Sequence, residues 1–164
     1  MALVFTNLLL YCIVLYGLLA GVTKKQIDRL QSTLNASAKI IHGGSRRDHV
    51  TPLLRDKLHW LKFEQRITYK LCLLVYKALH GQAPSYISKL IIPVSRNQHT
   101  RRLRSADTLQ LVNPGSRRKF GDRGFSVAAP SAWNSLPVSV RLSSTLTVFK
   151  SQLKAELFRK SYYC

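Results

Sequence analysis

A chain of 164 residues is long enough to bury one core, and this one carries 26 Lys+Arg against 7 Asp+Glu, a formal charge of +19. An excess of that size repels itself on compaction, so RNA, DNA or an acidic lipid surface is the expected neutralising partner, with a solvated basic face as the plain alternative. Cys12, Cys72 and Cys164 are odd in number and outside any CxxC or Cys/His cluster, which argues against a disulfide framework or a zinc knuckle and for a reducing compartment.

Residues 1–23 carry no charge and are followed at once by Lys24 and Lys25. Two readings stay open: a membrane-spanning helix over residues 1–22 with the lysines on the cytoplasmic side, or a buried helix of a larger protein. As a signal peptide the segment is poor, because no basic residue precedes it.

From 24 to 42, Ile27, Leu30, Leu34, Ala38 and Ile41 recur at helical spacing, with Thr23 as N-cap and Gly43-Gly44 as the stop. A short basic loop, Arg46 to His49, leads to Thr51 and Pro52, the expected N-cap and first residue of a brief helix through Leu58. The next helix, 63–80, carries Ile67, Leu71, Leu74, Val75 and Leu79, a wide apolar face that belongs near the centre of the core. Pro84 opens a short helix over 85–92, which Pro93 ends.

Residues 94–105 lack apolar periodicity and hold Arg96, Arg101, Arg102 and Arg104, so a loop is expected. Residues 108–112 alternate as a strand, Asn113-Pro114-Gly115 is a turn, and 125–129 is the expected second strand. This small hairpin, near 108–129, would carry the basic run 117–123 at its tip. One helical turn is expected over 131–135. A last helix over 145–159, capped by Ser144, has Leu146, Phe149, Leu153 and Leu157 on one face and Lys150, Lys154, Arg159 and Lys160 in solvent. The expected class is therefore mainly α with one two-stranded hairpin, divided into an apolar helix at 1–23 and a basic, mostly helical region at 24–164.

Several blocks now stand in a telling order. They are Ile27-Asp28-Arg29-Leu30-Gln31, Asp48-His49-Val50-Thr51-Pro52-Leu53-Leu54, Leu58-His59-Trp60-Leu61 and Tyr76-Lys77-Ala78-Leu79-His80-Gly81. Ala83-Pro84-Ser85-Tyr86, Gly121-Asp122-Arg123, Phe125-Ser126-Val127-Ala128-Ala129-Pro130 and Trp133-Asn134-Ser135-Leu136-Pro137 follow. Over nearly the whole chain this series resembles the C-terminal region of reverse transcriptases from non-LTR (LINE) retrotransposons of the Jockey and CR1 type. The resemblance implies a palm upstream of this region that holds the metal-binding aspartates, and it favours the buried-helix reading of residues 1–23. No Tyr/Phe-Ala-Asp-Asp block occurs here and the acidic residues are scattered singly, so neither a polymerase centre nor an endonuclease is expected. No catalytic residue, metal or cofactor is assigned. One departure stands at Leu9-Leu10-Tyr11-Cys12-Ile13, where the family usually has Leu-Asp-Tyr-Cys-Asn, and it makes the start more apolar.

The candidate binding residues are Arg46 and Arg47, Arg101, Arg102 and Arg104, and Arg117, Arg118, Lys119 and Arg123. On loops, these side chains reach phosphates without disturbing a core, and they would hold an RNA or DNA backbone with little sequence preference. Trp60 and Trp133 are expected in the core in preference to stacking on bases. The five histidines have no partner at a metal or acid-base spacing, and Asp122 is read as a turn residue paired with a neighbouring arginine. The expected function is a non-catalytic remnant that binds nucleic acid, nuclear or cytoplasmic, with the missing polymerase domain as a further partner. The alternative is a small membrane-anchored basic protein.

Overall fold

The computed structural model describes residues 21–45, 47–96, 108–115 and 124–163, and among these the chain is mainly helical. Four longer helices, Lys24–His42 (α1), Phe63–Leu79 (α3), Phe125–Asn134 (α5) and Leu146–Tyr162 (α7), are joined by the short Val50–Pro52 (α2), Ser85–Ser88 (α4) and Val138–Arg141 (α6). The apolar start, residues 1–20, lies outside the described residues.

α1 begins and ends where its local chemistry requires. Thr23 is extended at the N-cap, and Gly43, at φ 69°, closes a Schellman turn in which Gly44 N–H reaches Lys39 O at 2.9 Å. Its apolar stripe is less buried than the periodicity predicts: Ala38 is buried, but Ile41 is 61% exposed. α1 rests on α3 and on the turn after α2, and that contact is too narrow to cover both ends of the stripe.

α2 starts at the His49 N-cap, two residues earlier than Thr51, so Thr51 and Pro52 both lie in its first turn, where the missing proline N–H does no harm. It runs directly into a π-helical turn, Leu53–Lys57, closed by Leu58 N–H to Leu53 O at 2.9 Å.

α3 is the centre of the molecule. Ile67, Leu71, Cys72, Leu74, Val75, Tyr76 and Ala78 are all buried on it, and it packs most extensively against α5 and α7. From α7 the buried residues are Phe149, Leu153 and Leu157, the face that the spacing predicts, continued by Ser161. Thr145, in place of Ser144, is the N-cap, and its Oγ1 accepts from Val148 N–H at 3.3 Å. α4 stops at Ser88, shorter than expected, and residues 91–93 run on without helix to a 3-10 turn, Val94–Arg96.

The expected hairpin does not form. Leu109 takes the left-handed conformation, φ 50°, so the extended part of 108–112 is Gln110 to Val112, and the segment beside it is 92–94: Val94 N–H donates to Gln110 O and Val112 N–H to Ile92 O, both at 2.9 Å, around an isolated Pro93–Leu111 bridge. Pro93 is tolerated because the bonds fall on its neighbours. Leu111 turns its own N–H and C=O the other way, to the side chain of Asn134, whose Oδ1 accepts at 3.0 Å and Nδ2 donates at 2.8 Å. The amide thus stands where a second strand would.

Residues 125–129 instead open α5. Phe125, Ala129, Trp133 and Leu136 recur at helical spacing, the alanines favour helix, and Pro130 is accommodated with its ring buried. The helix turn expected at 131–135 is the end of this same helix. Trp133 is 0% exposed, as expected of a core residue, and its Nε1–H donates to Leu109 O at 2.7 Å.

Two outcomes follow from this packing. Asn134→Ala leaves the N–H and C=O of a buried residue without partners and should lower stability by about 2–3 kcal/mol in urea titrations; a loss below about 0.5 kcal/mol would mean that water replaces the amide. Burial pushes the Cys72 thiol up from 9.0 to about 12. The fold therefore holds the neutral thiol, and this contribution is whole below about pH 9 and lost as pH rises towards 12. Iodoacetamide at pH 8 should leave Cys72 unlabelled in native buffer and label it in urea, as read by peptide mass spectrometry.

Candidate nucleic-acid interface

Of the nine basic residues singled out in the sequence, the structure describes Arg47. It is exposed in the turn after α1, where Asp48 Oδ2 accepts from Ser45 N–H at 2.6 Å. Arg46, Arg101, Arg102, Arg104, Arg117, Arg118, Lys119 and Arg123 lie outside the described residues, as does Asp122. Residues 1–20 of the expected 1–22 span do too, and no described helix is long and apolar enough to cross a membrane.

A different basic surface is built by the junction between the π turn and α3. Trp60 N–H reaches back to Leu54 O at 2.8 Å, and His59 between them takes the left-handed conformation, φ 49°. A non-glycine residue there costs about 1–2 kcal/mol, so the turn persists only because its surroundings hold it. Two distant side chains do so. Tyr162 Oη donates to Trp60 O at 2.7 Å from the end of α7, and Gln31 Oε1 of α1 accepts from Phe63 N–H at 2.7 Å. The second bond caps the start of α3, where Lys62, the N-cap, supplies no side-chain acceptor.

Trp60 is consequently not a core residue, contrary to the expectation. Its ring lies on the wall of a cleft of about 280 Å³ whose other sides are His59, Leu61, Arg66 and Tyr69, with Lys70 and Lys154 on the rim of charge. Arg66 is fixed over the indole: its Nε donates to Leu61 O at 3.0 Å, and its guanidinium carbon is 5.1 Å from the ring centroid. Lys62 sits likewise over Tyr162, 5.2 Å from ring centre. α3 supplies Arg66, Tyr69 and Lys70 because positions three and four apart share one helix side, and α7 brings in Lys154 from across the packed face.

The charged side chains that line the cleft, Arg66, Lys70 and Lys154, are all cationic. Burial pushes the Tyr162 phenol up, against the pull of Arg66 and Arg55, and burial also raises Tyr69, so Tyr162 keeps the proton that it donates to Trp60. Among the described residues no carboxylate lines the cleft. Asp56 is held down by the guanidinium of Arg55, 2.7 Å away, and Glu156 by Arg159 at 2.9 Å and Lys160 at 3.6 Å. No group of three metal-ligating side chains occurs among the described residues. Arg141, by contrast, adds nothing to this surface: it is 4% exposed, and desolvation lowers its pKa.

Tyr162→Phe removes one tether of the turn. It should lower stability by about 1 kcal/mol and shift the Trp60 emission to the red as the indole gains water, with Trp133 as the unshifted internal reference. An unchanged spectrum would mean that the turn holds Trp60 without α7. Comparison of the chain with protein-family models, with curated proteins and with solved structures finds no match in any of the three.

Proposed function

We propose that the chain is a non-catalytic basic module that binds the phosphate backbone of RNA or DNA with little sequence preference, corresponding to the C-terminal region of a non-LTR retrotransposon reverse transcriptase without its palm. One observation carries the binding half of this reading: Arg66, Lys70 and Lys154 converge from two helices on one cleft that no described carboxylate lines. Surface cations that merely keep a protein soluble are interspersed with acids, whereas phosphate binders gather one sign on one face. The net charge of +19 supplies the long-range attraction that such a face would use. The retrotransposon half rests on the ordered sequence blocks, from Ile27-Asp28-Arg29-Leu30-Gln31 through Trp133-Asn134-Ser135-Leu136-Pro137.

Salt dependence tests the binding directly. Affinity for a labelled RNA, followed by fluorescence anisotropy from about 50 to 300 mM salt, should fall linearly on a log–log plot, each lost phosphate contact reducing the slope by about 0.7–0.9. Lys70→Gln with Lys154→Gln should therefore flatten it by about 1.5, and Arg101, Arg102 and Arg104 changed together to Ala by about 2–3. A slope near zero in the parent protein would sink the reading.

A further inference from the structure

The cleft at Trp60 has features that phosphate binding does not require. A backbone-binding surface needs cations and nothing else, yet here the cations frame three aromatic rings, His59, Trp60 and Tyr69, around a concavity. At about 280 Å³ it lies just under the roughly 300–1,000 Å³ of sites for drug-sized ligands. A single planar ring system is the ligand that such a space suits.

The platform is also held in place before any ligand arrives. The Arg66 guanidinium lies over the Trp60 ring, 5.1 Å from its centroid, Arg66 is anchored on Leu61 O, and the backbone of Trp60 is bonded on both sides, through its N–H to Leu54 and through its C=O to Tyr162. The strained His59 and the π turn lie directly beside it. π turns recur at functional sites, and strain of this kind is retained where a geometry is needed. A ring that served only to fill space would not require an irregular, doubly tethered turn to present it.

We infer that this cleft takes one unpaired base of a single-stranded nucleic acid, stacked on the Trp60–Arg66 pair, with the adjoining phosphates at Lys70 and Lys154. The inference rests on the nucleic-acid reading above and sharpens it from any polyanion to an unstacked strand. Aromatic and guanidinium faces accept every base, so the site discriminates strandedness and not sequence. A duplex keeps its base faces inside the stack and presents only phosphates. It would use the lysines and leave the rings idle.

The full chain is titrated at fixed salt with a single-stranded oligothymidine and with a DNA hairpin duplex of equal phosphate number. The single strand should bind more tightly and quench tryptophan emission. Trp60→Ala should weaken single-strand binding by about 5- to 150-fold, the range for loss of one stacked base, so that the ratio of single-strand to duplex affinity collapses towards one. If Trp60→Ala does not fold, Trp60→Phe serves: it keeps a stacking face and most of the affinity, and it abolishes the quench, because Trp133 is out of reach in the core. Equal, salt-dependent binding of both strand types, unaltered by Trp60→Ala, would overturn the unpaired-base site and leave backbone binding standing. A quench that survives Trp60→Phe would overturn it too. Binding of neither would remove both.

Discussion

The packing of Trp133 against Phe149 holds the described structure together. The two rings lie 5.7 Å apart, Phe149 stacks on Tyr76 at 4.3 Å, and Tyr76 on His80 at 3.9 Å, a column that passes from α5 through α7 into α3. Two of its rings carry a polar tie, since the indole donates to Leu109 O and the phenol of Tyr76 to Ser143 O at 3.1 Å. Aromatic pairs of this kind add about 0.5–1.5 kcal/mol beyond their buried area. The ties also fix direction, because a ring bonded at its rim cannot rotate to suit another packing. α3 owes its central place to this column, and the platform at its N-terminal end inherits that position.

Helices with a clean period were legible in the residues alone. α3 and α7 carry their apolar positions at three and four, and Ile67, Leu71, Leu74, Val75, Phe149, Leu153 and Leu157 are buried, while Leu79 and Leu146 at the helix ends are half-buried. What failed was pairing. The alternation in 108–112 marks an extended segment only over Gln110 to Val112, and nothing in it names Ile92–Val94 as its neighbour, still less the side chain of Asn134 as a stand-in for a strand. Phe125 to Ala129 was misleading because Pro130 reads as a stop. The burial of that ring and of Trp133 outweighs the lost backbone bond, a preference that only the three-dimensional packing expresses.

The site shows the same division between local and distant information. Lys62, Arg66 and Lys70 stand four apart on one helix with Tyr69 beside them, a pattern visible without coordinates. Trp60, among apolar neighbours, reads as core. Its transfer to a wall of the cleft depends on a π turn, which has no sequence signature, and on Tyr162 and Lys154, which come from the far end of the chain. Runs of arginine are conspicuous in a sequence. Cations spaced along a helix and completed by a second helix are not.

The bond between Tyr162 and Trp60 spans 102 residues. Contacts of such separation form late, since the intervening chain must be ordered before its two ends can meet. On a ribosome the cations of α3 emerge well ahead of the helix that fixes the tryptophan beside them. A nascent chain therefore has the charge of the site before it has its shape. Until α7 has docked, this part of the chain is a polycation without the cleft beside it.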